Sequence, residues 1–120
     1  MKKILIVDDD QFLRDLYEEI LKDAGYEVEM AVDGEDGFTK IQNTAYDLIL
    51  LDIMMPKLDG VGVLRKLKEN PTAHKNNIVM LTNLAHNPIV KEVMDLGAIS
   101  YLIKADMTPD QLLDNVKKII

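Results

Sequence analysis

Five short apolar runs, Ile4–Val7, Val28–Val32, Leu48–Leu51, Ile78–Leu81 and Ile99–Ile103, punctuate the 120-residue chain, and stretches of helical period separate them. That alternation limits the fold more than any other feature. Each run is rich in Ile, Val and Leu and too short for a free-standing helix, so each is predicted to be a strand. Three read as continuous apolar segments, as strands covered on both faces must. Between them, Leu13, Leu16, Ile20 and Ala24 recur three or four apart after Asp10, an N-cap residue, and before Gly25, a C-terminal stop, which predicts a helix over about 11–24. Phe38, Ile41 and Ala45 predict a second helix, Leu64 and Leu67 a third before Asn70-Pro71, and Val90, Val93 and Met94 a fourth ending near Gly97. Thr108-Pro109-Asp110-Gln111 supplies an N-cap hydroxyl, a proline at the first helical position and a reciprocal Gln, so a fifth helix carries Leu112, Leu113, Val116 and Ile119. Right-handed crossovers then place helices on both faces of one five-stranded parallel sheet, the doubly wound α/β arrangement.

At this length one core is expected, with no composition shift, repeat or linker to divide residues 1–120. With 14 basic and 21 acidic side chains, the net charge of −7 argues against direct nucleic-acid binding, which draws its affinity from cations on phosphates. Cysteine is absent, which excludes a disulfide framework, a thiolate zinc site and a cysteine nucleophile. The apolar runs fall far short of the roughly 20 residues that span a bilayer, and the Met1-Lys2-Lys3 start reaches acids after four apolar residues. A soluble, cytoplasmic protein without a membrane partner is expected.

In an open parallel sheet, ligands bind beyond the carboxyl ends of the strands. Strand one runs into Asp8-Asp9-Asp10, strand three into Asp52, strand four into Thr82 and strand five into Lys104, whereas Asp33-Gly34 after strand two reads as an ordinary turn into a helix. One charge after a strand is usually the chain leaving the core, but the joint pattern asks for more. Carboxylates crowded at one edge repel unless a cation sits among them. Oxygen donors without cysteine favour a hard ion such as Mg²⁺, with Ca²⁺ an open alternative. A metal beside a lysine suggests phosphoryl transfer, in which a carboxylate can be the nucleophile. Asp52 stands alone after a central strand and suits that role. Asp8 and Asp9 suit the cation, Lys104 compensates phosphate charge, and the Thr82 hydroxyl can bond a phosphoryl oxygen.

At these residues the chain resembles the receiver domain of bacterial two-component response regulators. The resemblance rests on Asp8-Asp9, the segment Leu51-Asp52-Ile53-Met54-Met55-Pro56-Lys57-Leu58-Asp59-Gly60, Thr82 and Lys104. It implies a flavodoxin-like sheet of strand order 2-1-3-4-5 and a phosphoprotein of phosphorelay signal transduction. Asp52 would accept phosphate from a histidine kinase or histidine phosphotransfer protein. Mg²⁺ would be held by Asp9, Asp52 and the Met54 carbonyl, with Asp8 assisting through water. It further implies a switch in which Thr82 moves toward the phosphate and Tyr101 turns inward, changing the surface of helix four, strand five and helix five for an output protein or domain. On its own, Tyr101 also reads as ordinary core or edge packing. Phosphorylation-dependent homodimerisation stays open, as does the choice between a stand-alone receiver and one cut from an output domain.

Two positions depart from the family pattern. Ala105 follows Lys104 where most members carry proline, often after a cis bond, so a trans bond is expected here. Asn83 replaces the usual small residue after Thr82 and can hinder the phosphate pocket. Met54 and Leu84, both apolar, should order attacking water poorly, which predicts slow self-dephosphorylation. Gly60-Val61-Gly62 lacks the third glycine of a dinucleotide loop and follows the wrong strand segment. His74 and His86 read as solvated surface residues, and Lys117 and Lys118 as partners of a helix dipole. The competing readings are a receiver-fold interaction module that works without phosphate, motivated by Asn83 and Ala105, and a Mg²⁺-dependent phosphatase, disfavoured by the absence of a cap domain.

Overall fold

The computed structural model describes residues 1–83 and 88–120. Its elements are β1 Lys3–Val7, α1 Gln11–Asp23, β2 Glu27–Ala31, α2 Gly34–Asn43, β3 Leu48–Asp52, α3 Gly60–Glu69, β4 Ile78–Thr82, α4 Pro88–Asp95, β5 Ser100–Ile103, a 3₁₀ turn over Lys104–Asp106 and α5 Pro109–Ile119. All strand pairings are parallel and the order is β2-β1-β3-β4-β5. This is the doubly wound architecture expected from the alternation, in the order the resemblance implies.

Successive strand residues point to opposite faces, and the core divides accordingly. Leu5, Val7, Ile49, Leu51 and Met80 pack with α2, α3 and Val93 of α4 on one side. Ile4, Ile6, Leu48, Leu50, Val79 and Leu81 pack with Tyr17, Leu21, Leu112 and Val116 of α1 and α5 on the other. β3 and β4 are buried at every residue, which is why they read as unbroken apolar runs.

Helix starts follow the expected chemistry. The Asp10 carboxylate accepts from the Phe12 and Leu13 amides, and Thr108 with Gln111 forms the reciprocal capping box of α5. Several boundaries and faces differ from the sequence reading. α2 stops at Asn43, leaving Ala45 exposed, and Tyr46 fills the core position instead. In α1 the buried residues are Tyr17 and Leu21, four apart on one face, while Leu16 and Ala24 face solvent. Val32 and Ile99 lie just outside their strands and are exposed, as is Met94 of α4. No peptide bond among the described residues is cis, so Lys104–Ala105 is trans as expected. His74 is half-buried, its Nε2 3.2 Å from the Ile41 carbonyl, a correction to the solvated surface residue anticipated. His86 and Leu84 lie outside the described residues.

Candidate functional site

The register gathers the strand-end residues. Val7 pairs with Leu51, so Asp8 emerges beside Asp52, the last residue of β3; Thr82 ends β4 opposite Ile103, so Lys104 emerges one residue beyond. Chain order reverses between β1 and β3, the switch point where open α/β sheets bind ligands. There lies a pocket of 330 Å³ lined by Asp8, Asp9, Asp10, Asp52, Ile53, Met54, Thr82, Asn83 and Lys104.

Within it, Asp8 is fully buried and Asp52 and Thr82 nearly so, while Asp9 is exposed. The Lys104 ammonium lies 2.7 Å from Asp8 Oδ2 and 3.0 Å from Asp52 Oδ1. Asp8 Oδ1 accepts from the Asp10 amide at 2.9 Å, and Asp52 Oδ1 sits 3.4 Å from the Met54 amide. Arg14 of α1 reaches back to donate to the Asp8 main-chain carbonyl at 2.7 Å. Sequence reasoning missed Arg14; the signal was its place one helical turn past the Asp10 cap, which turns its side chain toward the end of β1.

One ammonium does not balance this group. Burial, and then the neighbouring Asp8 carboxylate, push the Asp52 pKa up to about 6 against the opposing pull of Lys104. For Lys104, burial disfavours the charge, but its bonds to Asp8 and the fields of both carboxylates outweigh this and raise its pKa. Asp8, Asp9 and Asp52 each offer an oxygen, and these oxygens lie within 4.8 Å of one another. Apart from the Lys104 ammonium, Asp8 Oδ2 has no partner among the described residues and is closed to solvent. An all-oxygen donor set with surplus negative charge fits a hard divalent cation.

Met54 contributes its backbone here, while its side chain is 63% exposed at the mouth. Asn83 lines the pocket from an exposed position. Tyr101 lies apart from the pocket, on the edge strand β5 beside Met80 of β4, with its side chain 37% exposed. Gly60-Val61-Gly62 opens α3, and its glycines serve packing: a Cβ on Gly60 would lie 2.4 Å from the Asp52 carbonyl oxygen.

A doubly wound domain with an acidic, lysine-bearing pocket at its switch point defines a class of open α/β folds that bind ligands beyond the carboxyl ends of their strands. Within that class, residues 4–117 match the family model of the response regulator receiver domain. The chain is 36% identical over 117 residues to the gliding motility regulatory protein of Myxococcus xanthus, covering 98% of this chain and 15% of that one. The chemotaxis protein CheY4 of Vibrio cholerae superposes with a TM-score of 0.90 at 32% identity, covering 100% of this chain and 99% of that one. The response regulator TrrA of Thermotoga maritima, solved in complex with Mg²⁺-BeF, superposes at 0.85 and 33% identity, with 100% of both chains covered. The chain belongs to the response regulator receiver domains. It spans half or less of the length of the first curated relatives it matches. No helix among the described residues is long and apolar enough to cross a membrane.

Proposed function

We propose that Asp52 is the phosphoacceptor of a two-component signal relay, taking its phosphoryl group from the phosphohistidine of a histidine kinase or histidine phosphotransfer protein. The observation that carries this is the near-buried Asp52 carboxylate, sharing one ammonium with Asp8 while Asp9 stands within reach of both. An Asp52 oxygen attacks phosphorus, the phosphorus–nitrogen bond breaks, and the electron pair leaves on the imidazole nitrogen. With a pKa near 6, Asp52 is ionised at neutral pH yet weakly compensated, which suits a nucleophile. Lys104 can follow the charge onto the phosphoryl oxygens, and the Thr82 hydroxyl donates to one of them. Asp9, Asp52 and the Met54 carbonyl would hold Mg²⁺, with Asp8 assisting through water. When bound, the ion neutralises charge on the phosphoryl oxygens.

The aspartyl phosphate adds about −1.5 to −2 charges and fresh acceptors beside Thr82. Thr82 moves toward it, Tyr101 turns from solvent into the space vacated, and the surface of α4, β5 and α5 changes for an output partner. The outward Tyr101 of this structure supports an unswitched starting state. Met54, apolar at the mouth, activates no water, so the phosphate should last minutes or longer; a lifetime of seconds in Mg²⁺ buffer would contradict that.

A small-molecule phosphodonor with Mg²⁺ tests the reading by intact mass. One phosphoryl group should appear on the wild type and be absent from Asp52→Asn. An unmodified wild type would reject it.

A further inference from the structure

The turn after β2, which the sequence presents as ordinary, touches the loop that follows Asp52. In that loop, 53–59, the Leu58 amide donates to the Pro56 carbonyl at 2.7 Å across Lys57, whose φ of 66° is left-handed. Among the described residues, no other residue except glycine has positive φ. A γ-turn of this hand is strained, and a lysine there carries the steric cost of its Cβ. Something must hold it. From inside, Met55 and Leu58 pack on the core. From outside, the Lys57 ammonium lies 3.5 Å from Asp33 Oδ2, while Asp33 Oδ1 caps α2 through the Asp36 amide at 2.8 Å. Asp33 is nearly buried, so this carboxylate is a fixed anchor. The two segments also meet backbone to backbone, since a Cβ on Gly34 would lie 1.8 Å from the Leu58 carbonyl oxygen.

We propose that Lys57 and Asp33 are a positioning pair for the phosphoacceptor loop. Their ion pair holds residues 53–59 in the strained turn and thereby sets the affinity of the acidic pocket for a divalent cation. This rests on the reading of that pocket as the cation and phosphoacceptor site. The loop begins at the residue after Asp52 and carries the Met54 backbone, so its conformation fixes the pocket's wall. When only a fraction of molecules holds the competent loop, apparent affinity falls by that fraction. The pair is partly exposed, so the effect is modest and sensitive to salt.

The test is calorimetric titration with Mg²⁺ of the wild type, Lys57→Gln, Lys57→Arg, Asp33→Asn and the Lys57→Gln/Asp33→Asn double variant. Asparagine keeps the cap of α2, so Asp33→Asn removes charge alone. At low salt, Lys57→Gln and Asp33→Asn should each weaken binding roughly two- to fivefold. The double variant should be no weaker than either single, and Lys57→Arg should bind as the wild type does. In 1 M salt the differences should vanish. In metal-free protein, the Leu58 amide should exchange hydrogen faster in Lys57→Gln, a readout independent of the metal. Unchanged Mg²⁺ affinity in a folded Lys57→Gln, or additive losses in the double variant, overturns the pairing while leaving the phosphoacceptor reading intact. A wild type that takes up no Mg²⁺ overturns both.

Discussion

At the scale of single residues, Asp52 shows how a fold can store unfavourable charge for later use. Its pKa of about 6 lies above the ordinary value, so between about pH 4 and 6 the Asp52 carboxyl of the folded metal-free protein holds more proton than it does in the unfolded chain. Asp52's contribution to stability without metal should therefore fall as pH rises through that window, so the wild type should lose stability relative to Asp52→Asn across it. The open mouth of the pocket screens the effect, so Asp52→Asn should gain only about 1 kcal/mol at pH 7. Urea unfolding of both proteins at pH 4 to 7.5 in chelator measures this, and a wild type that gains stability relative to Asp52→Asn over the window would be inconsistent with it. That Asp8, Asp52, Thr82 and Lys104 meet in one pocket was legible because each ends or directly follows an apolar run at the carboxyl edge of the sheet. Arg14 and Lys57 were not, because nothing in their neighbours shows that one reaches back to a main-chain carbonyl and the other across to a different turn.

At the scale of elements, the close approach of α3 to β3 matters most. Gly60 brings the start of α3 against the carbonyl of Asp52, and the Gly60 amide donates to the Ile53 carbonyl at 2.8 Å. Gly60→Ala should displace the end of β3 and cut the phosphorylation rate at least tenfold while the far-UV spectrum stays native; phosphorylation at the wild-type rate would show that the contact relaxes freely. By contrast, Thr108→Ala removes an exposed cap of α5 that does not line the pocket. It should cost about 1 kcal/mol in urea unfolding and leave phosphorylation unchanged. Element type was readable because β3 and β4 are buried on both faces and the caps of α1 and α5 have local signatures. Element ends were less so. Ala45 keeps the helical period of α2, yet the chain leaves the helix at Thr44 to bury Tyr46, whose hydroxyl donates to Glu29 at 2.7 Å. That choice depends on a partner in another strand, invisible to local period.

At the scale of the molecule, one sheet separates two cores and its carboxyl edge gathers the chemistry. Leu51 and Leu112 belong to opposite cores and are both fully buried. Each truncation to alanine should cost about 2–5 kcal/mol, and the two losses should add to within about 0.5 kcal/mol in urea unfolding. A larger coupling would mean that the sheet transmits packing changes between its faces. Strand order is the global feature that periodicity did not supply. Alternation dictates a doubly wound sheet, but the reversal that puts β3 beside β1 came from the family resemblance, because local sequence carries no record of which strands become neighbours. That reversal sets Asp8 next to Asp52, and the functional account depends on it.

Reductive trapping tests that dependence most directly. After phosphodonor and Mg²⁺ treatment, borohydride converts an aspartyl phosphate to homoserine, which peptide mass mapping assigns to a position. The account predicts homoserine at position 52 alone, and none when Mg²⁺ is chelated. Trapping at Asp8 or Asp9, or at no position in a folded protein given both reagents, would contradict it.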